Sequence, residues 1–210
     1  MEETHNPNAP VMPSNSEIRS DARHALSGNW AQPVLTTLVY SLIESAASSL
    51  LLVGLLILCP LEFGFKHTFL RFMRGERKDE MVGDQFKVFN EYSRYLGGSL
   101  LVALYTFLWC LLLIVPGIIK SYSYAMTPYI MLDNPNMDSE DCIHRSREMM
   151  HGYKWKLFCL DLSFIGWAIL CLFTLGIGFF WLQPYIECSR AKFYEELKAL
   201  HGNQSQETNL

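Results

Sequence analysis

Residues 96–119 carry no charged side chain, and this run limits the folds open to the chain more than any other feature. A helix needs about 20 mostly apolar residues to cross a bilayer, and the run is long enough to do so. Pro116-Gly117 breaks it. The segment that follows is wetter, with Lys120, a run of hydroxyl side chains between Ser121 and Tyr129, and Pro128. A dry span followed at once by a wetter return reads as a helical hairpin in a membrane.

Two further stretches repeat the theme. Residues 33–59 form an apolar run interrupted by Glu44 and closed by Pro60, with a polar return over 61–74. Residues 157–182 form another, containing Asp161 and broken at Gly176-Ile177-Gly178, with a return carrying Gln183, Glu187 and Arg190. Buried core helices of a soluble protein are the competing reading, but a 210-residue chain rarely needs three such runs. The breaks at Pro60, Pro116 and Gly176 recur at similar intervals, and Pro-Tyr-Ile stands in both later returns, at 128–130 and 184–186. A threefold hairpin repeat is one explanation; shared membrane composition is the other. Ser14 and Glu17 have capping-box spacing, and Ile18, Ala22, Ala25 and Leu26 then form one apolar face. This predicts a helix lying on the membrane surface. A second such helix is expected over 139–151, with Cys142, Ser146, Met149 and Met150 on its apolar face. The expected fold is therefore all-α: a multi-pass membrane helical bundle of three hairpins, six membrane segments in all, with short amphipathic interfacial helices. Residues 1–16 read as a disordered tail, 17–200 as one membrane domain and 201–210 as a polar tail.

The 17 Lys and Arg residues avoid all three breaks, apart from Lys120, and collect before Pro33, over 66–94 and over 145–156. The positive-inside rule makes those stretches and both termini cytoplasmic, with the breaks facing outward. Three or four true spans, with some returns flat or re-entrant, is the alternative. The net charge of −4 and the scattered basic residues give no footprint for nucleic acid. The six cysteines form no C-x-x-C pair, and most lie in apolar runs, so neither a disulfide framework nor a zinc site is expected. His144 and His151 are ~10 Å apart along a helix, too far for one metal ion.

Two strings are long and specific: PGIIKSYSYAMTPYI at 116–130 and MMHGYKWKLF at 149–158, followed by SFIGW at 163–167. They resemble the bacterial domain-of-unknown-function 975 family (DUF975), and the likeness extends from about Arg19 to Leu197. It implies a multi-pass protein of the bacterial inner membrane and offers no catalytic residues to carry over. More remotely, the layout is similar to the membrane domain beside some glycerophosphodiester phosphodiesterases.

Charges at membrane depth cost about 2.5–3.5 kcal/mol each on insertion scales, so Glu44, Lys66, Lys120, Asp161, Glu187 and Arg190 need partners, water or a function. Structural pairing inside a bundle is the plainer reading and a hydrated cavity the sharper one. Lys120, Tyr124 and Thr127 share a helix face and are the candidate cavity lining. With each break taken as the outer edge, Glu44 lies ~24 Å, Asp161 ~22 Å and Arg190 ~20 Å inward, while Glu62 and Lys120 stay within ~6 Å of it. Arg190 is expected to meet Asp161 or Glu44, and Lys120 to meet Glu62 or water. No metalloprotease, P-loop or nucleophile-elbow signature is present. The reading is a non-enzymatic membrane binding or assembly component without a cofactor, partnered by the bilayer and by another membrane protein or further copies of itself. A small transporter or channel-like module for an ion, lipid or solute is the first alternative, and a lipid-acting enzyme the second.

Overall fold

A computed structural model describes residues 12–48, 51–76, 80–112, 114–174 and 176–207, and every regular element among them is helical. Helix α1 (Asn15–Leu26) begins with the expected reciprocal cap: the Glu17 amide donates to Ser14 Oγ at 3.3 Å and the Ser14 amide donates to Glu17 Oε2 at 2.6 Å. That exchange satisfies two of the donors a helix start leaves open. Of its apolar face, Ile18, Ala22 and Leu26 are fully buried and Ala25 is partly so. The face packs on protein, against α3 and α11, rather than on lipid alone.

Three pairs of neighbouring helices follow. Helix α2 (Ala31–Ser48) packs on α3 (Leu51–Met73). A short α4 (Met81–Asp84) and a 3-10 turn (Lys87–Glu91) lead into α5 (Tyr92–Leu112), which packs on α6 (Ile114–Tyr124). Then come α7 (Thr127–Asp133), α8 (Ser139–Met149), α9 (Lys154–Leu162) and α10 (Ile165–Phe173), and α10 packs on the last helix, α11 (Phe179–Glu207). The inner half of α3 sends Phe63 and Leu70 into one core cluster and Phe65, Phe69 and Phe72 into the other. Burying apolar side chains in two directions places it at the centre, and α3 touches α1, α2, α5, α7 and α11.

Two expected breaks are displaced. Pro60 does not end a helix; it sits inside α3. A proline there removes one backbone donor and costs about 3 kcal/mol in an isolated helix, so its surroundings must compensate. The carbonyl it strands is that of Leu56, and the Tyr92 hydroxyl donates to that oxygen at 3.2 Å. Pro116 likewise falls in the first turn of α6, where the missing N–H has no intrahelical partner to lose. The tips lie instead between α2 and α3, between α5 and α6, and between α10 and α11, where Gly176 adopts a positive φ of 85°. At the second and third tips a glycine permits close approach. A Cβ on Gly117 would lie 2.8 Å from Cys110 Cα, and one on Gly178 would lie 2.7 Å from Cys171 Sγ.

The ends also differ from expectation. Met12 is buried in the core and its carbonyl accepts from Lys156 Nζ at 2.8 Å, while residues 1–11 lie outside the described residues. Helix α11 continues to Glu207, past the expected start of a tail at 201. Helix α8 buries Cys142, Ser146 and Met149, and Met150 follows them inward. Ser146 fits this apolar face because its hydroxyl donates to the Ser123 carbonyl at 2.8 Å.

The apolar residues divide into two populations. The core lies mainly on α1, the inner half of α3, α7, α8 and the middle of α11, whereas Leu42, Phe107, Leu111, Leu170 and Phe173 near the helix tips are exposed. Among the described residues, the stretches Met81–Leu111 and Lys154–Phe173 are long and apolar enough to cross a membrane. Only 17% of the apolar window of each is buried, whereas the core helix of a water-soluble protein is mostly buried.

A charged cavity between the hairpins

Once the tips are located, the polar residues fall at a common depth. At ~1.5 Å per residue, Glu62 lies ~17 Å into α3, Arg190 ~17 Å into α11, and Asp161 ~18 Å back from the end of α10. These residues line a cavity of about 730 Å³ enclosed by α3, α5, α6, α7, α9 and α11. Its walls are apolar, including Val102, Ala103, Phe107 and Ile118. Its floor is charged.

Two ion pairs form that floor. Arg190 donates from Nε to Asp161 Oδ1 at 3.1 Å and from Nη2 to Asp161 Oδ2 at 3.0 Å, a bidentate fork. The Tyr122 hydroxyl donates to the same carboxylate at 3.1 Å, and Arg190 Nη1 reaches the buried Glu187 at 3.5 Å. Lys66 donates to Glu62 at 2.6 Å, one helical turn away. Buried atoms without a hydrogen-bond partner include Glu187 Oε2, the Tyr129 hydroxyl and Thr127 Oγ1.

The candidate residues therefore separate. Asp161, Arg190 and Glu62 line the cavity, together with Tyr124. Lys120 does not line it and does not meet Glu62; its ammonium sits 4.5 Å from the centre of the Trp109 ring. Thr127 is buried outside the lining. The shared face assumed for Lys120, Tyr124 and Thr127 required one continuous helix, but the chain turns at Ala125-Met126 and changes its phase before Thr127. Glu44 lies only ~6 Å from the end of α2, not in the inner half. It borders a separate cavity of about 320 Å³ with Phe179 and Gln183. The turn that sets its depth follows Ser48 at the end of α2, whereas Pro60 lies inside α3. Tyr122 and Tyr129 are additions to the candidate set. The recurring Pro-Tyr-Ile string was the available signal for Tyr129.

A second polar cluster ties the inner ends of the hairpins together. Arg74 at the end of α3 donates two hydrogen bonds to Asp133, at 2.7 and 2.8 Å, and another to Glu195 of α11. The Tyr194 hydroxyl and Lys198 also donate to Asp133, at 2.9 and 2.6 Å. Burial alone raises the Asp133 carboxyl, but the hydrogen bonds from Arg74, Lys198 and Tyr194 outweigh it and bring the group down to about 2. Arg94 closes the adjoining turn by donating to the carbonyls of Met131 and Asn134, at 3.0 and 2.7 Å. His67 is structural: its Nε2–H donates to the Pro128 carbonyl at 2.6 Å. Among the described residues no His, Cys, Asp and Glu side chains group as metal ligands.

Residues 111–201 match the family model described as "Protein of unknown function (DUF975)", which bears out the resemblance over that stretch. The match includes Asp161, Glu187 and Arg190; Glu62 and Lys66 lie before it. No curated protein and no solved structure matches the chain.

Proposed function

We propose that this chain is a multi-pass protein of a bacterial inner membrane that binds a small amphipathic molecule from the bilayer without transforming it. The observation that carries the reading is the cavity: apolar walls above a floor of two ion pairs, at one depth from three hairpin tips. Ligand sites commonly combine a mostly apolar lining with a few placed polar groups, in volumes of roughly 300–1,000 Å³. The exposed apolar residues around the tips and the two span-length stretches support residence in lipid. Six membrane segments, with both termini cytoplasmic, accommodate these features and the Lys/Arg distribution.

Purification in mild detergent followed by native mass spectrometry tests this reading. A defined amphiphile should be retained by the native chain and lost when cavity-wall Ala103 is replaced by Trp. Equal retention by both would place any binding elsewhere.

Transport is a second reading, supported by one specific feature. The return segment is discontinuous at Ala125-Met126, and both residues border the cavity. Interrupted membrane helices beside a midplane site are a recurring element of transporters. Movement of the bound amphiphile across the bilayer of reconstituted vesicles, lost in the same Trp variant, would distinguish transport from simple binding.

A further inference from the structure

The network at the cavity floor holds more acidic than basic side chains, counting Glu187 behind Arg190. Glu62, Asp161 and Glu187 are three carboxylates, while Lys66 and Arg190 are the two cations among them. Among the described residues, the ion pairs of this network draw on Lys66 and Arg190 as cations. Arg190 spends its Nε/Nη2 face on Asp161 and reaches Glu187 from Nη1 only at 3.5 Å. An uncompensated charge in a low-dielectric interior is costly, and the energy falls sharply when an opposite charge arrives.

Two enclosed polar groups lie at or beside this floor. Tyr129 lines the cavity, is 1% exposed, and its hydroxyl has no hydrogen-bond partner. It lies close enough to Glu187, Arg190 and Asp161 to feel their charges. Glu187 Oε2, on a residue 2% exposed, is also without a partner. Glu62, by contrast, presents a side chain that is 52% exposed beside the cavity.

We propose that this floor binds the ammonium head of a membrane-soluble amphiphile. A primary ammonium supplies one positive charge and three donors, which suits a network of three acidic and two basic side chains, with Glu62 and Tyr129 as the acceptors that border the cavity. Tyr122, Tyr124 and Tyr129 line the same space, and tyrosine rings attract cations through their faces. A metal cation is a poor match, because the carboxylates do not converge as metal ligands. The tail has a route out: Phe107 and Ile118 border the cavity and are 65% and 47% exposed. An anionic head would add to the existing negative charge and is disfavoured.

The proposal rests on the binding reading above, and the test separates the two. The full chain in a neutral maltoside detergent is heated with tetradecylamine, tetradecanol or tetradecanoate at pH 7, and the unfolding midpoint is followed against probe concentration. Tetradecylamine alone should raise the midpoint, and methylamine, the head without its tail, should not at the same concentrations. Tyr129→Phe, which removes a single oxygen, and Glu62→Gln should each weaken the tetradecylamine response about tenfold. Leu104→Ala, outside the cavity, should leave it unchanged. If tetradecanol or tetradecanoate stabilises as well as the amine, the ammonium assignment is wrong while a binding cavity stands. If none of the three stabilises, the binding reading itself fails. A tetradecylamine response unchanged in both Tyr129→Phe and Glu62→Gln would remove the head from this floor, and stabilisation by methylamine would make the ligand a small solute.

Discussion

The Asp133 side chain ties α7 to the end of α3 and to α11. It accepts from Arg74 on α3 and from Tyr194 and Lys198 on α11 while ending α7 itself. Replacing it with Asn leaves the Arg74 guanidinium, 23% exposed, without its bidentate partner. The loss should be about 2 kcal/mol, below the full penalty of a wholly buried pair because Arg74 keeps Glu195 and some solvent. The pH sign follows from the carboxyl, held at about 2 in the fold against about 3.9 in an unfolded chain. A depressed carboxyl contributes stability above the unfolded value and loses it as pH falls through the folded one. Detergent-solubilised protein should therefore lose part of its unfolding free energy between pH 4 and pH 2, and Asp133→Asn should flatten that segment of the curve. None of this clamp was legible from sequence, because its members stand at the ends of three separate helices with no local spacing to join them. The partner of Arg190 was legible only as Asp161 or Glu44, because few acids stand in the apolar runs, and the structure selects Asp161. The Lys120 face was not, because a two-residue turn at Ala125-Met126 changed the helical phase after Tyr124.

At the scale of one element, α3 shows how tertiary contacts override a local signal. Proline usually ends a helix, and a sequence reading has no means to foresee that the Tyr92 hydroxyl supplies the missing donor to Leu56. This compensation is testable as a double-mutant cycle. Tyr92→Phe should cost about 1 kcal/mol in the native chain by removing a hydrogen bond. In a Pro60→Ala background the restored amide at position 60 takes the Leu56 carbonyl, so the same change should cost close to nothing. Equal costs in the two backgrounds would show that the hydroxyl does not stand in for the amide. The α5–α6 pair gives a second contrast. Gly117→Ala forces a Cβ to 2.8 Å from Cys110 Cα and should lower the yield of folded protein, whereas Gly97→Ala, with nothing within 4 Å, should be neutral or slightly stabilising. The glycines named in the sequence did mark the tips, and the structure adds why: Gly117 and Gly178 each lie against a cysteine seven residues earlier, Cys110 and Cys171. That repeated spacing was present in the sequence, but its meaning appears only when the two helices are seen to touch.

Across the whole molecule, each of the three apolar runs is followed by a helix that packs back on it, with the first turn displaced from Pro60. Moving the first tip from Pro60 to the end of α2 exchanges the depths of Glu44 and Glu62, and it brings Glu62 level with Asp161 and Arg190. The same correction gives the chain a polarity. One end holds the tips, where exposed apolar side chains such as Phe173 and Ile177 gather; the other holds α1, α8 and the Arg74–Asp133 clamp. Arg19, Arg23, Arg74, Arg145 and Arg147 all lie toward the clamped end, so the Lys/Arg asymmetry and the packed core give the same direction. In intact cells, with all six native cysteines replaced by alanine, Ile177→Cys should react with a membrane-impermeant maleimide. Glu140→Cys, on the exposed face of α8, should react only after the membrane is opened. Reaction of both from outside would break the assignment of α8 to the inner surface, and the reverse pattern would invert the molecule. Reaction at 177 and protection at 140 would fix the clamp on the cytoplasmic side and orient the cavity floor toward the inner leaflet, so that an amphiphile entering beside Phe107 and Ile118 presents its head toward that side.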